Sequence, residues 1–189
     1  MIERQPNTGK FKDAVSQIAN VYQEAFAGFP WYEDLSFEEI LRRISSNMGN
    51  PGFESFLAEN TEGEIIGGLW FDQPSIRQLE EERGKSLTEF TGSFCEANGI
   101  QSVIWERELI IRPDNQRQGI ATRLRLTFLA YLAEKFPEGA LVLTRMRDDN
   151  IGTITIAEKL GYQRTGIRIP SSQKPNIFHE YWYKAINIK

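Results

Sequence analysis

The sequence predicts an α/β (α+β) fold, in which helices flank a central β-sheet. Two observations support this class. Apolar residues at helical spacing alternate along the chain with strand-like runs, and one such strand leads through a polar turn directly into a helix. With 189 residues, of which 40% are hydrophobic, the chain is long enough for one well-filled core. We therefore predict a single domain over residues 1–189.

Two helices are predicted at the start of the chain. Apolar residues recur at helical spacing over residues 11–27, which predicts an amphipathic helix that ends before Gly28. Ser36 followed by Glu39 is a capping-box pattern, so a second helix is expected to begin there and to continue to about Asn47. An aromatic loop lies between the two helices.

A β-hairpin is predicted next. Residues 56–58 and 65–71 are strand-like and flank the turn-forming residues 60–64. Trp70 is expected to belong to the core, because aromatic residues on strands are usually buried.

Residues 75–98 depart from the strand pattern and predict a helical insertion. One short helix is expected before Gly84, and Ser86 with Glu89 predicts the capping box of a second helix. This second helix contains apolar side chains, namely Leu87, Phe90 and Phe94.

The rest of the chain alternates strands and helices. Gly161 is expected to end the last helix, because glycine is the usual residue after a helix C-terminus. The predicted order is a long strand, a helix, a short strand, a helix and two closing strands, at residues 102–111, 120–136, 141–144, 151–160, 163–169 and 177–186.

The turn at residues 109–121 has the features of a phosphate-binding site. Gly119 allows the backbone to approach a phosphate closely, loop N–H groups can donate, and the N-terminus of the next helix adds a positive dipole. Arg117 adds a cation. The turn has neither the Gly-Lys-Ser/Thr of a nucleotide P-loop nor three spaced glycines, so it favours another pyrophosphate-containing coenzyme over ATP or NAD.

The turn also matches a family signature. Gln116-x-x-Gly119-x-Ala121 resembles the (Gln/Arg)-x-x-Gly-x-(Gly/Ala) motif of the GNAT superfamily of N-acetyltransferases, and the strand before it is similar to that family's strand. The order of elements matches that family over nearly the whole chain. The alternative is an ordinary strand, turn and helix with a glycine near the start.

The resemblance implies a GNAT-like mixed, mostly antiparallel sheet, with acetyl-CoA as the acetyl donor. It assigns coenzyme binding to residues of the strand, the turn and the following helix, and to one residue of the second signature: Leu109, Ile110, Ile111, Gln116, Arg117, Gln118, Gly119, Ile120, Ala121, Thr122 and Asn150.

The family's second signature is only partly matched. It usually reads Asn-x-x-Ala-x-x-x-Tyr-x-x-x-Gly-Phe, and here Ala157 occupies the place of the tyrosine that commonly donates a proton to the coenzyme thiolate. The remaining places hold Asn150, Thr153, Gly161 and Tyr162. The acid is therefore open, and the last strand offers three candidates, each of which is equally explained as a core or surface residue: His179, Tyr181 and Tyr183.

The long strand supplies candidates for the catalytic base. Period-two alternation places Glu106 and Glu108 on one face of the strand. In the family that the chain resembles, a glutamate on this strand often takes the amine proton, directly or through water. Alternatively, one or both glutamates pair with basic neighbours or face solvent.

The aromatic loop is the candidate substrate site. In the family it borders the acceptor pocket, so three aromatic side chains are expected to bind substrate there: Phe29, Trp31 and Tyr32. The alternative for Trp31 is that it fills the core beneath the loop.

Composition limits the remaining possibilities. A net charge of −4 disfavours a nucleic-acid-binding surface. The single cysteine, Cys95, excludes an intrachain disulfide or a cysteine zinc cluster, and no metal site is predicted. Without an apolar signal core or a long apolar run, we expect a soluble cytoplasmic protein with no membrane partner.

The leading hypothesis is a GNAT-type acyltransferase that moves acetyl from acetyl-CoA to a primary amine by direct attack in a ternary complex. The acceptor is a small-molecule or peptide amine. A second hypothesis is a non-catalytic coenzyme-A-binding sensor, because Ala157 replaces the tyrosine. A third is an interaction domain in which the insertion packs against a partner or, in a homodimer, against a second copy of the chain.

Overall fold

The computed structural model describes residues 1–3, 5–28, 30–171 and 174–188. They form two compact units. The first unit comprises Met1–Asp72 and Arg107–Tyr131, and the second comprises Gln73–Glu106 and Leu132–Lys189.

The first unit begins with three helices, α1 (Thr8–Asp13), α2 (Val15–Ala27) and α3 (Phe37–Met48). The prediction of one helix over residues 11–27 was wrong, because Ala14 leaves helical geometry with ψ near 12° and separates two helices. Asn7 accepts a hydrogen bond from the Lys10 N–H at 2.9 Å and so starts α1 earlier than predicted. The Ser36–Glu39 capping box is confirmed at the start of α3.

A hairpin follows in the same unit, with strands β1 (Glu54–Glu59) and β2 (Ile65–Asp72) paired antiparallel. All eight residues of β2 are buried. Gly67 is required for close packing, since a Cβ there would lie 2.7 Å from the Ile110 carbonyl oxygen. Trp70 is fully buried, as predicted, and its indole N–H donates to Asn47 Oδ1 at 3.1 Å.

The core of this unit lies between the helices and one face of the hairpin. Its buried members include residues of each helix, both hairpin strands and the long strand: Phe11, Ile18, Tyr22, Ile40, Ile44, Leu57, Trp70 and Ile110. Burying apolar side chains from every element ties the three helices to the sheet.

The second unit contains the predicted helical insertion, formed by α4 (Ile76–Arg83) and α5 (Lys85–Asn98). The predicted capping box at Ser86 was wrong, because α5 begins at Lys85 after Gly84 and has no side-chain cap. Leu87 is fully buried, and Phe90 and Phe94 both contact the ring of Tyr183. These apolar side chains therefore pack, at least in part, within their own unit.

The remaining elements are β3 (Ser102–Ile111), α6 (Ile120–Lys135), β4 (Ala140–Arg147), α7 (Ile151–Lys159), β5 (Gln163–Pro170) and β6 (Phe178–Ile186). β4 is twice as long as the predicted strand at residues 141–144. Gly161 follows α7 with a φ of 77°, so its predicted role in ending this helix is confirmed.

The strands form one mixed, mostly antiparallel sheet in the order β1-β2-β3-β4-β6-β5, flanked by helices as predicted. β3 passes through both units. It pairs parallel with β4 from Ser102↔Ala140 to Trp105↔Leu143, where the pairing ends. The pairs β4–β6 and β5–β6 are antiparallel. Among the described residues, no helix is both long enough and apolar enough to cross a membrane.

Candidate functional site

The predicted phosphate-binding turn lies in the first unit, between β3 and α6. A short 3-10 turn, Pro113–Asn115, redirects the chain after Arg112. The side-chain amide of Gln116 donates to the Ile111 carbonyl at 3.2 Å, and the amide of Gln118 donates to the Asp114 carbonyl at 3.1 Å. The two glutamines therefore fix the shape of the turn from within.

Two residues of the turn adopt left-handed backbone conformations, Arg117 with φ 60° and Gly119 with φ 77°. No heavy atom lies within 4 Å of a Cβ placed on Gly119, so the space beside its backbone is open. The first intrahelical hydrogen bond of α6 runs from the Arg123 N–H to the Gly119 carbonyl at 3.0 Å. The amides of the preceding helical turn therefore point out of the helix end, as an anion requires.

The predicted coenzyme-binding residues differ in how far their side chains are exposed to solvent. The side chains of Ile110, Ile111 and Ile120 are buried, so only their backbone is available to a ligand. Leu109, Ala121 and Thr122 are half-buried, and the exposed ones are Gln116, Arg117, Gln118 and Gly119. An exposed, cation-bearing turn beside buried strand residues is the arrangement expected for a diphosphate.

Asn150 lies in the second unit and caps α7. Its side chain accepts a hydrogen bond from the Thr153 N–H at 3.3 Å, and its own N–H donates to the Arg147 carbonyl at 3.1 Å. Asn150 thus sets where α7 begins, a role that accounts for an asparagine at this place in the signature.

Glu106 is a buried carboxylate in the second unit, with 1% of its surface exposed. The Tyr162 hydroxyl donates to its Oε2 at 2.8 Å, and Tyr162 itself is 3% exposed. The Thr144 hydroxyl donates to the Glu106 carbonyl oxygen at 3.3 Å, at the point where the β3–β4 pairing ends. Both the backbone and the side chain of Glu106 are therefore held in place.

Glu108 lies in the first unit and has different neighbours. It is half-buried, and its charge acts on Tyr22 of α2. Arg107, between the two glutamates in sequence, forms a buried ion pair with Asp72, to which Asn50 also donates at 2.6 Å. The two glutamates that alternation pairs thus differ in burial and in the neighbours described for each.

The surroundings of Tyr22 form a charged cluster that sequence reasoning missed. The Arg43 guanidinium donates to the Tyr22 hydroxyl and to Glu33 Oε2, the latter at 3.2 Å. Burial, together with the charges of Glu108 and Glu33, raises the pKa of Tyr22 well above its usual value. Helical spacing identified Tyr22 only as a core residue, and no local pattern links it to residues of α3 and β3.

The aromatic loop is only partly defined. Phe29, one of the three predicted substrate residues, lies outside the described residues. The ring of Trp31 is half-buried and packs 5.1 Å from the ring of Phe26, whereas Tyr32 is 58% exposed with a φ of 52°. Trp31 therefore contributes to the edge of the core, and Tyr32 presents its ring outward.

The three candidate proton donors on the last strand lie in the second unit and also differ. Tyr181 is buried in a cluster with Leu141 and Leu143. Ala157, which stands in the place of the usual tyrosine, is fully buried. The Tyr183 hydroxyl donates to Gln163 Oε1 at 2.6 Å. Burial, followed by the charges of Arg145 and Arg147, lowers the pKa of His179 to about 4, so this imidazole is neutral near pH 7.

Several solved structures have the same fold as this chain. The ribosomal-protein-S18-alanine N-acetyltransferase of Escherichia coli is 17% identical, with a TM-score of 0.66 over 100% of this chain and 95% of its own. A GNAT superfamily phosphinothricin acetyltransferase of Sinorhizobium meliloti, solved with AcCoA, is 14% identical, with a TM-score of 0.64 over 98% and 88%.

An aminoglycoside 6'-N-acetyltransferase solved with coenzyme A is 12% identical, with a TM-score of 0.64 over 98% of this chain and 96% of that one. Scans with protein-family models and against curated protein sequences find no match. The chain therefore has a GNAT-like fold, as the residues of the turn predict.

Proposed function

We propose that the protein is an acetyl-CoA-dependent N-acetyltransferase that acts on a primary amine by direct attack in a ternary complex. The principal support is the turn from Gln116 to Gly119 within a GNAT-like fold. Its left-handed glycine, open backbone and helix N-terminus are suited to the diphosphate of coenzyme A. Structural neighbours solved with AcCoA or coenzyme A have the same fold.

In this proposal the turn and the end of β3 bind the coenzyme, mainly through backbone groups. Arg117 adds positive charge beside the diphosphate. Pairing of β3 with β4 ends at Trp105, and we assign the backbone of Leu109, Ile110 and Ile111 to the pantetheine arm. The coenzyme supplies a thioester, whose carbonyl carbon the amine attacks.

The chain must also move two protons. The amine nitrogen loses a proton as it forms the amide bond, and the thiolate released when the C–S bond breaks gains one. We assign the first proton to Glu106, directly or through a water, because its carboxylate is buried and oriented by a hydrogen bond. Ala157 has no proton to give, so the thiolate is protonated by another group or by solvent.

The acceptor is proposed to be a small-molecule or peptide amine that lies against the loop carrying Trp31 and Tyr32. The three structural neighbours are named as acetyltransferases of a ribosomal-protein alanine, of phosphinothricin and of an aminoglycoside. Fold similarity at these identities does not select among such amines.

An amine panel tests this function. Thiol release from acetyl-CoA is measured with spermidine, an aminoglycoside and a peptide with an N-terminal alanine. At least one amine should support turnover, and Glu106→Gln should lower kcat by about 100-fold or more while acetyl-CoA affinity is retained. Glu108→Gln, on the same strand, should cause a smaller loss.

A second function is favoured by Ala157, which removes the usual acid. The protein would then be a non-catalytic coenzyme-A-binding sensor. A sensor would bind acetyl-CoA but turn over none of the amines, and neither glutamate substitution would alter binding.

A further inference from the structure

Tyr162 occupies a position where this chain departs from the signature that it otherwise resembles. The motif ends in Gly-Phe, whereas here Gly161 is followed by tyrosine. The extra atom is a phenolic oxygen, and it lies 2.8 Å from Oε2 of Glu106. The two residues are 56 positions apart in sequence, so the contact is created by the fold.

Both partners of this hydrogen bond are fixed by their own backbones. The Tyr162 N–H donates to the Ala157 carbonyl at 2.9 Å, directly after the left-handed Gly161. Glu106 is held from the other side by the Thr144 hydroxyl on its carbonyl oxygen. Both side chains are buried, so forming the bond withdraws neither of them from solvent.

The phenol supplies a hydrogen-bond donor to a side chain that is buried away from water. A buried polar group is costly unless a partner replaces its lost water, so the bond holds both side chains in place. Because a carboxylate is planar, fixing Oε2 also fixes the direction in which Oε1 lies.

We infer that Tyr162 is a positioning residue, which fixes the orientation of the Glu106 side chain, the proposed acceptor of the amine proton. This inference rests on the proposed acetyltransferase function and on Glu106 as its base. Tyr162 itself transfers no proton in this scheme, so its hydroxyl remains bonded to Oε2 before and after the step.

The variant Tyr162→Phe tests the role, because it removes only the hydroxyl and restores the usual family residue. Without the hydroxyl, the Glu106 carboxyl group loses one contact that fixes its orientation. We expect kcat to fall by about tenfold, with KM for acetyl-CoA unchanged.

The matched control is Tyr131→Phe, which removes another tyrosine hydroxyl that donates to a glutamate, Glu54 Oε1, at 3.0 Å. This variant should leave kcat unchanged. A double-mutant comparison adds a readout that a purely structural role would not produce: in the Glu106→Gln background, Tyr162→Phe should cost no further activity, because no carboxyl group remains to be oriented.

A measurement that needs no amine acceptor separates this inference from the proposed function. Carbon-13 NMR of glutamate-labelled protein follows the carboxyl of residue 106, assigned from the signal lost in Glu106→Gln. At one fixed pH, its chemical shift should change in Tyr162→Phe and stay the same in Tyr131→Phe, because only the first variant removes a hydrogen-bond donor from this carboxyl group. No turnover by the unchanged protein with any amine would refute the function, and the NMR arm alone would then decide the coupling.

Two results would overturn the inference. The first is a Tyr162→Phe protein in which both kcat and the carbon-13 shift of residue 106 stay unchanged. The second is an equal loss of activity from Tyr162→Phe in the wild type and in the Glu106→Gln background, since a purely structural role would not depend on the carboxyl group.

Discussion

Single residues account for the most specific features of the proposed site. Gly119 has a backbone conformation that side chains rarely adopt, so its place in the turn was predictable from residue type alone. The Tyr162–Glu106 hydrogen bond was not predictable, because alternation along a strand identifies a face and not the distant residue that meets it. The same limit explains why Tyr22 was identified only as a core residue.

His179 predicts a pH effect at this scale. Its folded-state pKa of about 4 is below the unfolded value of 6.5, so the unfolded chain binds more protons between these values. The imidazole does not affect stability above pH 6.5, and it reduces stability as the pH falls from 6.5 towards 4. The neighbouring charges that act on it are Arg145, Arg147, Asp148 and Asp149.

Between pH 7 and pH 4.5, the free energy of unfolding should therefore fall by about 1 kcal/mol more in the wild type than in His179→Gln. This value allows for solvent screening, because the ring is half-buried. Urea denaturation of both proteins at the two pH values measures this difference. Parallel losses in the two proteins would show that the imidazole titrates normally.

At the scale of elements, two serines with the same predicted role differ in the structure. Ser36 accepts a hydrogen bond from the Glu39 N–H at 3.3 Å, while Glu39 receives one from the Ser36 N–H at 2.8 Å. Ser86 lies inside α5, one residue after the helix begins. The preceding Gly84, with φ 88°, begins α5 in place of a serine cap.

The variant Ser36→Ala should lower the free energy of unfolding by about 1 kcal/mol, because α3 loses its N-cap. Ser86→Ala should change it by no more than a few tenths of a kcal/mol, since an exposed position within a helix tolerates alanine. Urea denaturation compares the two. Equal losses would mean that α5 depends on Ser86 for its cap.

These differences show what sequence patterns resolve at element scale. Strands and helices were located because hydrophobic periodicity reflects which face is buried. The break at Ala14 was missed because apolar spacing continues across it. The length of β4 was underestimated because its last residues include two arginines, Arg145 and Arg147, which interrupt the apolar pattern. Met146 and Arg147 are nevertheless buried.

At the scale of the whole molecule, the GNAT-like fold was predictable although identities to structural neighbours are only 12–17%. The reason is that the motif is local: a strand, a turn with Gly119 and a helix appear within thirteen residues. The acceptor was not predictable, because one fold can serve many different acceptors. The hydrogen bond between Arg43 and Glu33 was not predictable either, because the fold brings these residues together.

The central claim, that the Gln116–Gly119 turn binds the diphosphate of acetyl-CoA, predicts the effect of one added charge. Gly119→Glu places a side chain at a left-handed position and an anion in the open space beside the backbone. It should weaken acetyl-CoA binding by at least about 100-fold. Gly92→Glu, which adds the same charge on α5 where a Cβ also meets no atom, is the control.

The decisive measurement is calorimetric titration of the wild type and these two variants with acetyl-CoA, with adenosine diphosphate as a control for nonspecific phosphate attraction. We predict a micromolar or tighter dissociation constant for acetyl-CoA, retained in Gly92→Glu and lost in a folded Gly119→Glu. Absence of binding to the wild type, or unchanged affinity in Gly119→Glu, would contradict the claim.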